Sequence, residues 1–571
     1  MGDPIHPVIE FRGFGFQYRA QAEPTLYDID LTVYAGEKLA IVGPSGSGKS
    51  TLAHCLNGLA PQVYEGETTG ILRVLGRDHR ELNVYELSRR VGTVLQDPDG
   101  QFVGLTVAED IAFRLENEGV PLPAMQTKVA AAADAVGIRA LLDASPQALS
   151  GGQKQKATMA GALVEPVDIL LFDEPLASLD PAAGRAAVEL IDRLHRETGA
   201  TVIIVEHRLE DVLHRDVDRV VVMEAGRIVA AAPPAELLCT ETLARAGIRE
   251  PLYLTALKYA GWEASPERRP ERVETVRLDG FAERLGAWAE SVAAPPRRET
   301  GETLLELQRV DFAYERGKPI LKDVSFALRR GEKVCLAGRN GAGKSTITKL
   351  ICGFLQPSAG RLLWNGEDMR SLTVRERAER IGYVMQNPNH MICKPFVYEE
   401  VAFGLRLRGA PPEEVESRVR SALRACGLDD VRAWPISALS FGQKKRVTIA
   451  SVLALSPSVI ILDEPTAGQD YRHYAEFMAF LERLNAQGTT LLMITHDMHL
   501  MLEHSDRTIV LSNGEKCADA DPATVLSNEA TVRAAGLRRT SLHELAERAG
   551  LPRPDEFARR FVAYDREVRR R

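Results

Sequence analysis

Five chemical landmarks occur twice in this chain, in the same order and at a nearly constant offset. The landmarks of the first copy are Lys49 in GPSGSGKST, Gln96, Ser150, Glu174 and His207, and those of the second are Lys344 in GRNGAGKST, Gln386, Ser440, Glu464 and His496. The paired positions are 295, 290, 290, 290 and 289 residues apart. Because unrelated motifs would not keep this spacing, the sequence predicts two copies of one nucleotide-handling unit.

The composition is typical of a soluble globular protein. Of the 571 residues, 45% are hydrophobic and 26% are charged, and no apolar run reaches the roughly 18 residues of a membrane span. Residues 1–10 lack the basic and apolar regions of a secretory signal, so we expect the protein to stay in the cytoplasm. A net charge of −8 gives no general attraction to phosphate backbones, and we expect no nucleic-acid partner.

The cysteines form no recognisable metal or disulfide pattern. The seven are Cys55, Cys239, Cys335, Cys352, Cys393, Cys426 and Cys517. An odd number without a CxxC pair argues against a zinc site and against a disulfide framework. We therefore expect all of them to be small buried hydrophobic side chains.

The repeat divides the chain into two domains and a connection. The predicted limits are 1–262 for the first domain, 263–301 for a linker and 302–571 for the second domain with a C-terminal extension. The linker is rich in Arg, Glu and Pro, and one short helix is predicted near residues 281–288. The sequence around Gly247 is echoed around Gly536, at the same offset of 289 residues, which predicts a small helical C-terminal appendage in each unit.

Apolar runs alternate with helical patterns in each unit, which predicts an α/β fold with a mainly parallel sheet. The predicted strands are 38–42, 169–172 and 201–205 in the first unit, and 459–462 and 490–494 in the second. The landmarks follow the carboxyl ends of these strands, where open α/β sheets bind their ligands.

The glycine-rich segments are typical of loops that bind phosphates. Their glycines let successive N–H groups and a helix N-terminus face an anion, the lysine adds a positive charge, and the following serine offers a hydroxyl to Mg²⁺. The nucleotide-binding candidates are Gly43, Gly46, Gly48, Lys49, Ser50 and Thr51 in the first copy, and Gly338, Gly341, Gly343, Lys344, Ser345 and Thr346 in the second.

Adjacent carboxylates follow a buried strand in each copy, as FDEP and LDEP. Asp173 and Asp463 are predicted metal ligands, whereas Glu174 and Glu464 are predicted to polarise the attacking water. His207 and His496, each at the end of a strand, are expected to contact the terminal phosphate. Tyr18 and Tyr314 precede their lysines by 31 and 30 residues and are candidates for stacking on adenine, with packing in the core as the alternative.

LSGGQKQ at residues 149–155 and LSFGQKK at residues 439–445 resemble the signature of ATP-binding cassette (ABC) ATPases. The resemblance covers nearly the whole chain and implies two P-loop NTPase domains in tandem that bind ATP and Mg²⁺. It also implies an intramolecular cassette dimer, in which each ATP lies between the phosphate loop of one cassette and the signature of the other. The signature residues that this assigns to ATP are Ser150, Gly152, Gln153, Ser440, Gly442 and Gln443. Phe441 replaces the glycine found at Gly151, so we expect two hydrolytic sites with unequal rates.

The segments that begin at Val94 and Val384 resemble the cassettes of energy-coupling factor transporters, which import vitamins and transition metals. In that family the glutamine loop contacts the γ-phosphate and Mg²⁺ on one side and the membrane partner on the other. The resemblance therefore makes Gln96 and Gln386 catalytic and metal-site candidates that couple the two processes.

The family also implies a transmembrane coupling subunit and a small substrate-binding membrane subunit, with this chain peripheral at the cytoplasmic face of the membrane. Two alternatives stay open: the fused ATPase of a ribose-type sugar importer, and a soluble tandem cassette protein that acts on ribosomes or DNA. The C-terminal residues 559–571 contain six arginines, which is typical of a solvated tail, with contact to anionic lipid headgroups as the alternative.

Overall fold

The computed structural model describes residues 6–177, 179–294, 301–315, 317–466 and 471–570. The chain forms two compact units, with the boundary between Leu285 and Gly286. Each unit is an α/β domain, which confirms the predicted fold class. In the described part of the chain no helix combines the length and the apolar character needed to cross a membrane.

The first unit contains an antiparallel sheet and a mainly parallel sheet. Its strands are β1 (Pro7–Tyr18), β2 (Leu26–Tyr34), β3 (Lys38–Val42), β4 (Gly66–Val74), β5 (Arg77–Asp78), β6 (Val91–Val94), β7 (Ile169–Asp173), β8 (Thr201–Glu206), β9 (Arg219–Glu224) and β10 (Arg227–Ala232). The antiparallel sheet has the order β2-β1-β4-β5, and the second sheet has the order β10-β9-β3-β8-β7-β6. In the second sheet only β10 pairs in the antiparallel direction.

The helices of the first unit cover the parallel sheet and form the appendage after it. They are α1 (Lys49–Leu56), α2 (Leu59–Gln62), α3 (Val84–Ser88), α4 (Val107–Asn117), α5 (Leu122–Val136), α6 (Gly151–Leu163), α7 (Pro181–Thr198), α8 (Leu209–Val212), α9 (Pro234–Leu237), α10 (Thr242–Arg245) and α11 (Leu252–Tyr259). The last three are the small C-terminal helices that the sequence predicts. Helix α12 (Ala282–Ser291) follows in the segment predicted as a linker, at the place where a short helix is expected.

The second unit repeats the same two sheets. Its strands are β11 (Thr303–Glu315), β12 (Lys318–Arg329), β13 (Lys333–Gly338), β14 (Ala359–Trp364), β15 (Glu367–Asp368), β16 (Ile381–Val384), β17 (Val459–Asp463), β18 (Thr490–Ile494), β19 (Arg507–Ser512) and β20 (Glu515–Ala520). The sheet orders are β12-β11-β14-β15 and β16-β17-β18-β13-β19-β20. The five predicted strands of the two units are all confirmed, with ends that differ by at most one residue.

The helices of the second unit correspond to those of the first, with a longer appendage. They are α13 (Lys344–Cys352), α14 (Val374–Ala378), α15 (Val397–Leu407), α16 (Pro412–Ala425), α17 (Phe441–Leu453), α18 (Tyr471–Ala486), α19 (Met498–His504), α20 (Pro522–Ser527), α21 (Glu529–Ala534), α22 (Ser541–Arg548) and α23 (Pro554–Arg570).

One hydrophobic core joins the two sheets of each unit. In the first unit it includes Phe11 and Phe14 of the antiparallel sheet, Leu39 and Ile203 of the parallel sheet, and Leu52 of α1. Strands β3, β7 and β8 are buried at every residue, because a central parallel strand is covered on both faces. This packing fixes the strand ends, from which the candidate site projects.

The arginine-rich C-terminus is a packed helix and not a solvated tail, so the prediction for it is wrong. Phe557 and Phe561 of α23 are buried, and Trp288 of α12 contacts the Phe557 ring edge to face. Arg560 Nη1 donates to the carbonyl oxygens of Ala289 and Val292, which satisfies acceptors at the end of α12. Aromatic residues spaced four apart give this helix its buried face.

The prediction that all cysteines are buried is also wrong. Four of the seven are buried, but Cys239 is half-buried and Cys393 and Cys517 are exposed. Cys393 lies in an irregular segment and Cys517 on the edge strand β20, where the surface offers no apolar cover.

Candidate active site

The phosphate-loop lysine of the first unit is buried and bonded to its own loop. Lys49 Nζ donates to the carbonyl oxygens of Gly43 and Pro44, at 2.9 Å each. Gly48, directly before α1, has φ 97°, and a Cβ there would lie 2.7 Å from Leu26 Cδ2. Only glycine accommodates both conditions, so the loop can bring its N–H groups and the N-terminus of α1 towards an anion.

The second unit builds the same loop. Lys344 Nζ donates to the carbonyl oxygens of Gly338 at 2.7 Å and Arg339 at 2.9 Å, and Gly343 has φ 101°. The other predicted residues lie in the same two loops or in the first turn of the helix that follows: Gly46, Ser50 and Thr51 in the first unit, and Gly341, Ser345 and Thr346 in the second.

The two candidate adenine-stacking tyrosines lie beside the first helical turn after each loop. Tyr18 Oη is 3.1 Å from Thr51 Oγ1, and Tyr314 Oη is 3.5 Å from Thr346 Oγ1. Tyr314 is 56% exposed, which excludes core packing as its role. Tyr18 is half-buried and packs its edge against Phe16, so the core takes part of its ring.

Asp173 ends β7 next to the first phosphate loop. Ser50 Oγ donates to Asp173 Oδ1 at 3.3 Å, so two of the three predicted metal ligands of this site lie together. Burial raises the pKa of Asp173 to about 6, and the neighbouring Glu174 adds to this, whereas Ser50 and Lys49 oppose it. A nearby cation would offset the free-energy cost of burying the charged Asp173 carboxylate.

Asp463 holds the corresponding place in the second unit, with different partners. Tyr383 Oη donates to Asp463 Oδ2 at 3.1 Å. Burial raises the pKa of this carboxyl, the bond from Tyr383 lowers it, and Glu464 raises it again. The equivalent of Tyr383 in the first unit is Thr93, so the two metal-site candidates differ in their surroundings.

Glu174 receives two hydrogen bonds from predicted site residues. Gln96 Nε2 donates to Glu174 Oε2 at 2.6 Å, and His207 Nε2 lies 2.7 Å from Oε1. Burial raises the pKa of Glu174, but His207, Lys49 and Gln96 outweigh it and hold the pKa below its usual value. His207 Nδ1 is 3.1 Å from the carbonyl oxygen of Gly43, which can only accept, so Nδ1 carries a proton.

Glu464 is held in a similar way by the two residues that follow β18. His496 Nδ1 lies 2.7 Å from Glu464 Oε1, and Thr495 Oγ1 donates to Oε2 at 3.2 Å. Both glutamates have a left-handed backbone, with φ 47° at Glu174 and φ 43° at Glu464. Because this region is costly for a residue with a side chain, both units carry local backbone strain at this glutamate.

Sequence reasoning missed a buried carboxylate in the first unit. Glu206 Oε1 accepts from the Leu176 N–H at 3.0 Å, and Oε2 accepts from the His207 N–H at 2.9 Å. Burial raises the pKa of Glu206, Arg208 opposes this, and Glu174 adds to it. The second unit has Thr495 here, at the offset of 289 residues. Only the comparison of VEH with ITH in the two copies could have pointed to it.

A buried lysine in the second unit was also missed. Lys445 is 2% exposed, and its Nζ donates to the carbonyl oxygens of Gln386, Glu464 and Asp463. Burial lowers the pKa of Lys445 to about 8, whereas the two carboxylates raise it. Lys445 is the last residue of the LSFGQKK segment, where the first copy has Gln155.

The signature residues begin a helix in each unit. The Ser150 N–H donates to Gln153 Oε1 at 2.9 Å and Ser150 Oγ accepts from the Gln153 N–H, which caps α6. Ser440 and Gln443 form the same capping box on α17. Gly152 and Gly442 lie in these first turns, and Phe441 is 45% exposed beside them. The pairing of each signature with the other unit's phosphate loop stays a prediction.

Each unit thus brings its loop lysine, adjacent carboxylates, histidine and glutamine loop to one end of the parallel sheet. In the first unit direct contacts join Gln96, Glu174 and His207, and in the second Lys445 joins Gln386 to Glu464. Such a set can bind a triphosphate, coordinate a divalent cation through hard oxygen ligands and orient a water molecule. Phosphoryl transfer to water is the chemistry that these groups allow.

Known proteins match this chain over nearly its whole length. Residues 26–177 and 321–467 match the family described as ABC transporter, and residues 240–312 match the family described as ATP-binding cassette cobalt transporter. An ABC transporter ATP-binding protein of Clostridium perfringens is 52% identical over 562 residues, which cover 98% of this chain and 99% of that protein. Another, of Enterococcus faecalis, is 53% identical over 567 residues, which cover 99% of each chain.

A solved structure, that of CbiO1 from Clostridium perfringens, part of the ABC transporter complex CbiONQ, is 34% identical. The match covers 41% of this chain and 94% of that protein, with a TM-score of 0.39.

Proposed function

The chain belongs to the ABC transporter ATP-binding proteins and is therefore an ATP-hydrolysing enzyme, and from that premise we propose that it powers uptake of a small molecule through a separate membrane complex of the energy-coupling factor type. The proposed cargo is a vitamin or a transition-metal ion. The proposed partners are a transmembrane coupling subunit and a small substrate-binding membrane subunit, which place this chain at the cytoplasmic face of the membrane.

The match of residues 240–312 carries this proposal. That segment lies between the two catalytic cores, so its match to a family described as a cobalt transporter is independent of the motifs that all such ATPases share. The glutamine-loop segments that follow β6 and β16 support the same family through their sequence. The presence of both glutamates and both histidines supports hydrolysis at two sites. Both glutamates and the QDPDGQ segment at residues 96–101 count against the ribose-type importer.

We propose that Mg²⁺ is held by Ser50, Asp173 and Gln96 in the first site, and by Ser345, Asp463 and Gln386 in the second. The residues fit this ion, because they offer hydroxyl, carboxylate and amide oxygens and because a cation would relieve the raised pKa of Asp173. When bound there, Mg²⁺ would neutralise negative charge on the phosphates.

The side chains of the protein bind the nucleotide and activate the water. Lys49 and Lys344 bind the outer phosphate oxygens, and each can exchange a loop carbonyl for one of them. Glu174 and Glu464 orient the water and accept its proton, and His207 and His496 hold those carboxylates in place. Tyr18 and Tyr314 stack on adenine. Binding of ATP by both units would close an intramolecular dimer, and hydrolysis would open it again.

Copurification tests the proposal directly. The tagged chain should be recovered from detergent-solubilised membranes of its own cells together with two hydrophobic membrane proteins, and their identity should give the cargo. Recovery with ribosomes or DNA, with no membrane partner, would favour the soluble alternative. Recovery with a sugar permease would favour the ribose-type importer.

A further inference from the structure

Lys445 links three backbone segments of the second site. Its Nζ lies 2.8 Å from the carbonyl oxygen of Gln386, 3.2 Å from that of Glu464 and 3.4 Å from that of Asp463. An ammonium group has three protons, so it can donate to all three oxygens at once. The side chain is almost completely buried, so water does not compete for these bonds.

Among the described residues of the first unit, no side chain makes such a link from this position. Gln155 occupies the equivalent position, is 3% exposed, and its Nε2 has no hydrogen-bond partner among the described residues. There the glutamine loop reaches the carboxylates through a side chain, since Gln96 Nε2 donates to Glu174 Oε2 at 2.6 Å. One loop is thus attached by its backbone and the other by a side chain that can rotate.

Burying an ammonium group is costly unless charged or polar groups compensate for the lost water. Lys445 is compensated by three carbonyl oxygens and by the nearby carboxylates of Asp463 and Glu464. A neutral side chain, Gln155, occupies the equivalent buried position in the first unit, so burial there does not by itself require a cation. What distinguishes Lys445 from Gln155 is therefore its set of hydrogen bonds to the three carbonyl oxygens.

We propose that Lys445 is a positioning residue of the second ATP site, which holds the backbone of Gln386 at a fixed place relative to Asp463 and Glu464 before nucleotide binds. The inference rests on the roles proposed above for these three residues. It predicts that the backbone of the second glutamine loop is positioned before nucleotide binds. The first glutamine loop is positioned only when the Gln96 side chain bonds to Glu174. The two sites would then differ in the protein that has neither nucleotide nor metal.

Hydrogen exchange on the full chain without nucleotide or metal tests this difference. Lys445→Met removes the charge and keeps a similar length, and Gln155→Met makes a matched change in the first unit. In Lys445→Met, amides of residues 385–392 should exchange at least about tenfold faster, while those of α17 stay unchanged. Gln155→Met should alter exchange in residues 95–102 by less than about twofold.

ATPase kinetics give a second readout. Lys445→Met should raise the Mg²⁺ concentration for half-maximal activity by about tenfold and lower kcat, with the KM for ATP nearly constant, because the phosphate loop is untouched. Lys445→Arg should restore part of the Mg²⁺ response, since it keeps the charge.

Equal loop exchange in Lys445→Met and the parent protein would overturn the proposal. So would faster exchange throughout α17, which would indicate a merely structural role. Both experiments use the purified chain, so an error in the proposed cargo or membrane partners would leave their outcome unchanged.

Discussion

Replacing Glu174 and Glu464 together by glutamine should stop hydrolysis and leave nucleotide binding intact. The Glu174 carboxylate accepts hydrogen bonds with both oxygens, from Gln96 and from His207. An amide of the same shape has one carbonyl oxygen, so it can keep only one of these bonds as an acceptor. It also cannot accept a proton from water at neutral pH.

The expected loss follows from the role of a general base. Such a group contributes about 10²- to 10⁴-fold, so the double variant should retain about 1% of the ATPase activity or less. A loss of 10² corresponds to about 2.7 kcal/mol of transition-state stabilisation. Because Lys49 and Lys344 donate to loop carbonyl oxygens that the two substitutions leave in place, ATP affinity should stay within about threefold of the parent protein.

The assay is steady-state ATP hydrolysis together with measurement of nucleotide retained after gel filtration. The double variant should retain ATP and not ADP. Glu241→Gln with Glu529→Gln is a matched control, because it makes the same chemical change at two exposed carboxylates, one in each unit. Turnover by the Glu174 and Glu464 variant within a few-fold of the control would refute the assigned role.

Three further results are expected. Phe441→Gly should make the ATP turnover rates of the two sites more equal. The rate of each site can be measured in variants that keep only one of the two glutamates. If Phe441→Gly leaves both of these rates unchanged, the predicted asymmetry is contradicted. Gly48→Ala should weaken ATP binding at the first site by about tenfold, because the new Cβ would clash with Leu26 and alanine is strained in the left-handed region. Gly46→Ala, which has open space around the new Cβ, should weaken binding less. An equilibrium binding titration measures both effects. Burial lowers the pKa of His543 to about 4 from 6.5. The contribution of His543 to the free energy of unfolding should therefore be constant above pH 6.5 and fall by up to about 3 kcal/mol as the pH drops to about 4. Chemical denaturation across this range should show a weaker pH dependence of the unfolding free energy in His543→Gln.

Local sequence predicted the framework of the site well. Strands β3 and β18 occupy the residues predicted for them, because continuous apolar runs between turn residues are typical of central parallel strands. The carboxylates of Asp173 and Glu174 then follow from a strand end, which is a short-range feature. The same holds for the phosphate loops, whose glycines and lysine are adjacent in the sequence.

Features that depend on distant packing were not predicted. Lys445 contacts Gln386, which is 59 residues away in the sequence, and no local pattern marks a lysine as buried. Glu206 is likewise a polar residue at the end of an apolar strand, where exposure is the usual expectation. In α23 the signal was present, since Phe557 and Phe561 are spaced for one helix face, but the count of arginines obscured it.

The left-handed backbone at Glu174 and Glu464 has a consequence for engineering. Glycine or asparagine at either position would relax the main chain, so a screen that rewards thermal resistance alone should enrich such replacements. Every variant selected in this way would lose the carboxylate that we propose activates the water. Heat tolerance and turnover are therefore opposed at these two positions, and a durable form of this enzyme has to be sought by changes elsewhere.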